Sequence, residues 1–160
     1  MNKIRVYADL QFFNLEDQFV VKEFAALSSD MKFMHYVCKP PVNFACLTQK
    51  DKRQVKWVER NYHKISWNAG HVPYKYASEI ITKGLRNFES VFVNGVQKVN
   101  YLQLLGIVAQ NIERSYEVGG LRTLDFRHGI SCMNHKNKNY ICALLNVCNI
   151  KKIVESNFLQ

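Results

Sequence analysis

The first third of the chain consists of apolar runs separated by short polar breaks. Residues 3–13 are rich in β-branched and aromatic side chains, residues 18–27 form a second apolar run, and residues 31–37 alternate between two faces. The polar breaks at 14–17 and 28–30 are short enough to be hairpin turns. This pattern predicts three consecutive strands joined as an antiparallel meander, which the Pro40-Pro41 pair ends.

The rest of the chain changes to helical spacing. In residues 48–63, Val55 and Val58 recur at helical intervals among basic side chains, and Thr48 is placed to cap the helix. The remaining segments are predicted as helix, buried strand, helix, edge strand and helix, in the order 74–88, 90–93, 99–112, 115–118 and 140–158. In the third helix, 99–112, we expect Leu102, Leu105, Val108 and Ile112 to form the inward stripe. This order predicts an α/β fold with a mixed five-stranded sheet flanked by helices.

Length and composition fit a single globular domain over residues 1–160. The chain has 48% hydrophobic residues and 12% aromatic residues, enough for a core, but no apolar run near the ~20 residues that cross a bilayer. The N-terminus lacks the pattern of a signal peptide, so we expect a cytoplasmic or nuclear protein with no membrane partner. Five cysteines in a reducing compartment favour thiols or metal ligands over disulfides. The net charge of +9 suits a polyanionic partner such as nucleic acid.

One segment concentrates potential metal ligands. Cys132 and His135 are separated by two residues in a polar stretch, and Cys142 follows at the predicted start of the last helix. Zinc prefers about four thiolate, imidazole or carboxylate ligands, so this spacing supplies three and leaves the fourth open. His128, Cys148 or a distant carboxylate could complete the set. A surface loop with a polar histidine and half-buried cysteines explains the spacing equally well.

A basic and aromatic stretch occupies residues 50–64. Its cations could neutralise phosphates, while Trp57, Tyr62, His63 and the following Trp67 could stack on bases. An amphipathic helix with a solvated basic face has the same composition. The candidate nucleic-acid-binding residues in this stretch are Lys50, Lys52, Arg53, Lys56 and Arg60.

Known nucleotide and hydrolase motifs are missing from the sequence. Gly119-Gly120 lacks the lysine and hydroxyl residue of a phosphate-binding loop, and Ser131 lacks the turn sequence of a serine nucleophile. Asp9, on the first predicted strand, stands where metal-dependent nucleases place a carboxylate. On its own, this aspartate is better explained as the end of a hydrophobic run.

Taken together, these features resemble the ribonuclease H-like superfamily, in the branch that contains the DEDD exonucleases. Those enzymes hold two divalent ions with four carboxylates, and the resemblance assigns the matching positions of this chain as degenerate. Asp9 keeps its carboxylate, whereas the other positions are Gln11, Lys98, Ile141 and Asn146. The resemblance therefore implies a pseudo-exonuclease without two-metal chemistry, and it adds Lys98 to the candidate nucleic-acid contacts.

The Maelstrom domains of this superfamily are the closer resemblance because they share the loss of these carboxylates. They carry instead a zinc site of Glu, Cys, His and Cys, which implies Glu23, Cys132, His135 and Cys142 as ligands of a structural Zn²⁺. Maelstrom domains act in piRNA-guided transposon silencing, associate with RNA, and in some members cleave it weakly. The resemblance thus implies binding of single-stranded RNA in a silencing complex.

Two alternative functions remain open from the sequence. The first is a weak metal-independent ribonuclease that uses His63, His71 or His128 as acid and base groups beside basic residues. The second is a protein-interaction scaffold whose basic surface is incidental. No residue is assigned a catalytic role.

Overall fold

The computed structural model describes residues 4–115 and 142–158 and contains one mixed five-stranded sheet. The strands pair in the order β3-β2-β1-β4-β5, and the first three are antiparallel, whereas β1, β4 and β5 are parallel to one another. The predicted mixed sheet with an antiparallel start is confirmed. The strand bounds are β1 Arg5–Asn14, β2 Phe19–Ser28, β3 Phe33–Val37, β4 Ser90–Val93 and β5 Ala109–Asn111.

Helices cover both faces of this sheet. Thr48 caps the first helix as predicted, because its Oγ1 accepts a hydrogen bond from the N–H of Asp51 at 3.1 Å. Two 3₁₀ turns, Phe44–Cys46 and Tyr74–Tyr76, precede the first and second helices. The helix bounds are α1 Gln49–Asn61, α2 Ala77–Leu85, α3 Val96–Leu104, α4 Ile112–Ser115 and α5 Ala143–Phe158.

The alternation of side chains along β1 divides the core between the two faces. Val6, Ala8 and Leu10 pack with buried side chains of α2 and α3 on one face. On the other face, Tyr7 packs against α5, and Phe13 packs against α1. The odd-numbered side chains of β1 therefore run from beneath α5 to beneath α1, and the polar residues among them lie between the parts of this face that the two helices cover.

The predicted third helix and fifth strand were placed wrongly. α3 ends at Leu104 because Gly106 adopts the left-handed conformation, with φ 77°, and turns the chain away from the helix axis. The expected inward Val108 is 88% exposed, and the fifth strand lies at Ala109–Asn111. Ser115 ends the short helix α4, and residues 116–118 of the predicted strand lie outside the described residues.

A bulge between β1 and β2 places one lysine inside the protein. Gln11 pairs with Glu23 and Phe12 with Val21, which leaves Lys22 without an opposite residue. Its ammonium donates to the carbonyl of Cys38 at 2.9 Å and to those of Trp67 and Ala69, and burial lowers the pKa of Lys22 to about 8. Lys22 therefore ties β2 to the segment that connects α1 and α2.

No helix within residues 4–115 and 142–158 is long and apolar enough to cross a membrane.

Candidate nucleic-acid interface and metal centre

A buried polar cluster forms where β1, α3 and α5 meet. Asp9 is fully buried, and its Oδ2 accepts hydrogen bonds from Gln11 Nε2 and Asn146 Nδ2, both at 2.8 Å. Its Oδ1 accepts from Lys98 Nζ in an ion pair. Four of the five positions assigned from the exonuclease resemblance are thus gathered around one carboxylate, and Ile141 lies outside the described residues.

Local structure explains why these four residues converge. Asp9 and Gln11 are two positions apart on the central strand, so their side chains share the face that α5 covers. Asn146 lies on the buried side of α5. Lys98 lies in the first turn of α3, which begins just after β4, the parallel neighbour of β1.

The chemistry of this cluster differs from that of a two-metal site. The single carboxylate is neutralised by an ammonium and receives three donors, so it has no free charge for a divalent ion. A metal ion would have to displace the Lys98 side chain, which is only 16% exposed. The described residues therefore form a neutral polar cluster at the position that the resemblance assigns to catalytic metals.

Glu23 forms a second buried site on β2. Its Oε1 accepts the N–H of Ala143 at 2.6 Å, at the start of α5, and its Oε2 lies 3.8 Å from Cys142 Sγ. The same Oε2 lies 2.9 Å from His35 Nε2. Glu23 therefore connects strands β2 and β3 with the N-terminus of α5, where a carboxylate also interacts favourably with the helix dipole.

The Glu23–Cys142 pair has a separation compatible with a shared zinc ion. Oxygen and sulfur ligands at about 2.0 and 2.3 Å from a tetrahedral zinc lie about 3.5 Å apart, close to the observed distance between Oε2 and Sγ. Within residues 4–115 and 142–158, no three His, Cys, Asp or Glu side chains form a metal-holding group. Cys132 and His135 lie outside the described residues, so this part of the chain contains two of the four assigned ligands.

His35 is a site residue that the sequence interpretation missed. It pairs with Ala25 across β2 and β3, so it lies diagonally across from Glu23 on the same face of the sheet. The alternation of residues 31–37 places His35 on one face with Val37, but it does not identify the residue opposite. Only the register of the two strands could have identified His35.

Two basic stripes run along α1. Arg53, Trp57 and Arg60 follow one another at helical spacing on an exposed side of the helix. Lys52 and Lys56 form the second stripe, with their ammonium groups 5.9 and 5.6 Å from the ring centre of Phe44. Lys50 is exposed but lies 2.9 Å from Glu16, so its charge is partly compensated.

An open cleft separates α1 from the start of α3. Its volume is about 290 Å³, and Gln11 and Lys98 line one part of it, while Trp57 and Tyr62 line another. β1 pairs with β4 only from Arg5 to Tyr7, so its later residues extend past β4 along this cleft. The remaining lining residues are Leu10, Phe12, Asn14, Phe19, Val58 and Gln97.

The candidate stacking residues differ sharply in exposure. Trp57 is 55% exposed and Tyr62 is 38% exposed, whereas Trp67 is 1% exposed and His63 is fully buried. Trp67 and His63 pack against Phe13, so the expectation that they stack on bases is wrong. Trp67 and His63 are buried because they lie against the apolar face of β1, and the local sequence does not reveal this contact.

The histidines of the ribonuclease alternative have different surroundings. His63 accepts the N–H of Ile65 at its Nδ1 and is enclosed in the core, whereas His71 is exposed near the ring of Tyr36. His128 lies outside the described residues. The described geometry gives no acid and base pair at the cleft.

In comparisons with known proteins, no family model matches the chain, and no curated protein matches its sequence significantly. Function must therefore be inferred from the geometry of the sites themselves. These sites are a neutralised carboxylate cluster, a Glu–Cys pair beside α5, and a basic, aromatic cleft.

Proposed function

We propose that this protein binds single-stranded RNA and does not cleave it by two-metal chemistry. The observation that carries the proposal is the open cleft, which is lined by the exposed Trp57 and by Lys98 and lies beside the basic helix α1. Proteins that bind single strands combine basic groups along the backbone path with aromatic rings on which bases stack. The cleft and α1 supply both kinds of group on one surface.

The charges around the cleft support a polyanionic ligand. Arg53, Lys56 and Arg60 form no ion pair within the described part of the chain. The carboxylates on and beside α1 have other partners. Glu16 pairs with Lys50, Asp51 accepts the N–H of Glu16 at 3.0 Å, and Glu59 accepts the N–H of Trp67 at 2.5 Å. An approaching phosphate would therefore meet uncompensated positive charge along α1.

We further propose that a structural Zn²⁺ stabilises this domain. Glu23 and Cys142 would hold it together with Cys132 and His135, and the spacing of the first two is compatible with a tetrahedral ion. Four protein ligands leave no position open for water, so such a zinc would have no catalytic role. Its chemistry would be to join β2 and the start of α5 to the preceding segment.

The biological setting that we propose is small-RNA or transposon silencing, with protein partners in a silencing complex. Its support is the resemblance to Maelstrom domains at the motif positions, together with the replacement of the metal-binding carboxylates. Three of the substituted positions, Gln11, Lys98 and Asn146, contact Asp9, as the remains of a former active site would.

The salt dependence of RNA affinity tests the proposed binding surface. We expect a labelled single-stranded RNA to bind more weakly as salt rises, because cations released from phosphates drive the association. Changing Arg53, Lys56 and Arg60 together to Gln should weaken binding and reduce the slope of log K against log salt by about 2. The matched control changes Lys75, Lys83 and Arg86 to Gln, with the same loss of charge on and beside α2.

Two results would contradict this proposal. One is a wild-type protein that binds no single-stranded RNA at low salt. The other is an equal loss of affinity in both triple variants, because the binding would then follow net charge alone. In the same samples with chelator present, we expect the RNA to stay intact, and cleavage would favour the ribonuclease alternative.

A further inference from the structure

We infer that the cleft between α1 and α3 holds one unpaired nucleobase, stacked on the ring of Trp57. This inference rests on the proposed function and assigns its base-binding subsite. It distinguishes a local, aromatic contact from the wider basic surface that attracts the phosphates.

The exposure of Trp57 is the first argument. The chain has two tryptophans, and Trp67 is buried at 1% exposure with its Nε1 donating to the carbonyl of Val42 at 3.0 Å. Trp57 is 55% exposed and lines the cleft. Trp67 thus has a structural role in the core, whereas much of the Trp57 ring is open to a ligand at the cleft.

The position of Trp57 on α1 is the second argument. Arg53 lies one turn before it and Arg60 about one turn after it, so an exposed ring is flanked by cations along the helix. A nucleotide presents a flat apolar base together with a charged phosphate. A ring between two cations matches both parts of that ligand.

The floor of the cleft is the third argument. Gln11 and Lys98 line it, and Lys98 neutralises the buried Asp9, so a base or phosphate meets no free carboxylate there. Gln11 donates an Nε2 hydrogen to Asp9 and is only 2% exposed, so this hydrogen bond fixes the amide just beneath the cleft surface. The lining is therefore largely apolar, with a polar part at Gln11 and Lys98 that carries no net negative charge.

The size of the cleft favours an unpaired base over one within a duplex. A volume of about 290 Å³ is near the lower end of small-molecule sites, about 300 Å³, and suits one nucleotide-sized group. A base within a duplex is stacked and paired, and it would have to leave the helix to enter such a site. A peptide strand paired to the free edge of β1 is the competing occupant.

Tryptophan fluorescence can report this contact selectively. Because Trp67 is buried, quenching upon addition of a single-stranded RNA should come from Trp57 and should be absent in Trp57→Leu. We expect Trp57→Leu to weaken RNA binding roughly 5- to 150-fold without changing the salt slope. The matched control is Tyr76→Leu, which removes another exposed aromatic ring, 44% exposed, outside the residues that line the cleft.

The possible outcomes separate this inference from the proposed function. Selective loss of affinity in Trp57→Leu, with a duplex competing poorly, supports the subsite. If wild type binds RNA with a normal salt slope but Trp57→Leu and Tyr76→Leu bind equally well, the subsite is overturned while RNA binding stands. If wild type binds no RNA, both fail, and a peptide library screened on the same protein tests the free strand edge.

A Trp57→Phe variant that keeps partial affinity would show that the loss in Trp57→Leu reflects the ring and not misfolding.

Discussion

Among single residues, Lys98 explains how the protein holds the buried carboxylate of Asp9 in its core. A buried aspartate with no counter-charge would be strongly unfavourable in the core. Lys98 supplies a positive charge from the first turn of α3, and the amides of Gln11 and Asn146 occupy the other oxygen. The cluster therefore depends on the lysine much as a metal site depends on its ion.

Replacing Lys98 with Met should destabilise the protein strongly. The change leaves the buried Asp9 carboxylate without a cation, and we expect a loss of about 3–5 kcal/mol in the free energy of unfolding at neutral pH. Denaturant melts of wild type and variant measure it. Lys83→Met is the matched control, because it breaks the exposed Lys83–Glu79 pair of α2 and should cost about 0.5 kcal/mol or less.

A double variant sharpens this test of Lys98. Changing Asp9 to Asn in the Lys98→Met protein removes the uncompensated charge, so part of the lost stability should return. Equal stability losses in Lys98→Met and Lys83→Met would contradict the role assigned to the buried pair.

The sequence could identify these residues only in part. The convergence of Asp9, Gln11, Lys98 and Asn146 was predictable only because the resemblance assigned all four to one site. His35 and Lys22 were not predictable, because their roles depend on strand register and on a bulge, which leave no local sequence signal.

Among the elements, the segment between α1 and α2 is fixed closely against the end of β3. Lys39 N–H donates to the carbonyl of Val72 at 2.7 Å, and Cys38 forms a parallel bridge with Val72. Gly70, with φ 134°, allows this approach, because a Cβ there would overlap the backbone carbonyl of Cys38. No larger residue fits without moving the backbone beside it.

Gly70→Ala should therefore be one of the most damaging small substitutions in the chain. We expect it to lower the free energy of unfolding by about 3 kcal/mol or more, from backbone strain together with steric overlap. Gly95→Ala is a matched control, because Gly95 has φ 123° but an added Cβ would meet nothing within 4 Å. Gly95→Ala should lower the free energy of unfolding by the backbone strain alone, about 1–3 kcal/mol. Similar losses in both variants would exclude steric overlap as the cause of the Gly70→Ala effect.

Periodicity predicted most elements well where one face is buried continuously. α1, β1 and β2 have such faces, and their expected positions are confirmed, as is that of the less buried β3. The helix predicted beyond Leu104 was wrong, because the apolar residues there continue at helical spacing although Gly106 turns the chain away from the helix axis. A single left-handed glycine outweighed the periodic pattern there.

For the whole molecule, Glu23 links the sheet with the start of the last helix. β2 carries the carboxylate, α5 begins with the N–H that it accepts, and Cys142 lies immediately before that helix. A zinc ion bound by Glu23 and Cys142 would couple β2 to the start of α5 and contribute to folding stability directly.

Removal of zinc should therefore destabilise the protein. We expect purified wild type to contain about one zinc per chain, and chelation to lower its Tm by roughly 10 °C, the effect of about 3–4 kcal/mol in a domain of this size. Metal analysis and thermal melts of Cys142→Ser should show neither the zinc nor the response to chelator. Cys46→Ser, which changes an exposed cysteine, should behave like wild type. A full zinc equivalent in Cys142→Ser would refute the proposed ligand set.

The buried Lys22 has a consequence for chemical modification of this protein. The side chain is only 1% exposed, and its ammonium is held by three backbone carbonyls. An acylating reagent can reach it only when β2 separates from the neighbouring segment. The rate at which Lys22 is acylated should therefore follow the opening of the core, whereas the exposed lysines of α1 react at once. Mass spectrometry of a timed labelling reaction would therefore measure the rate of core opening through this one residue.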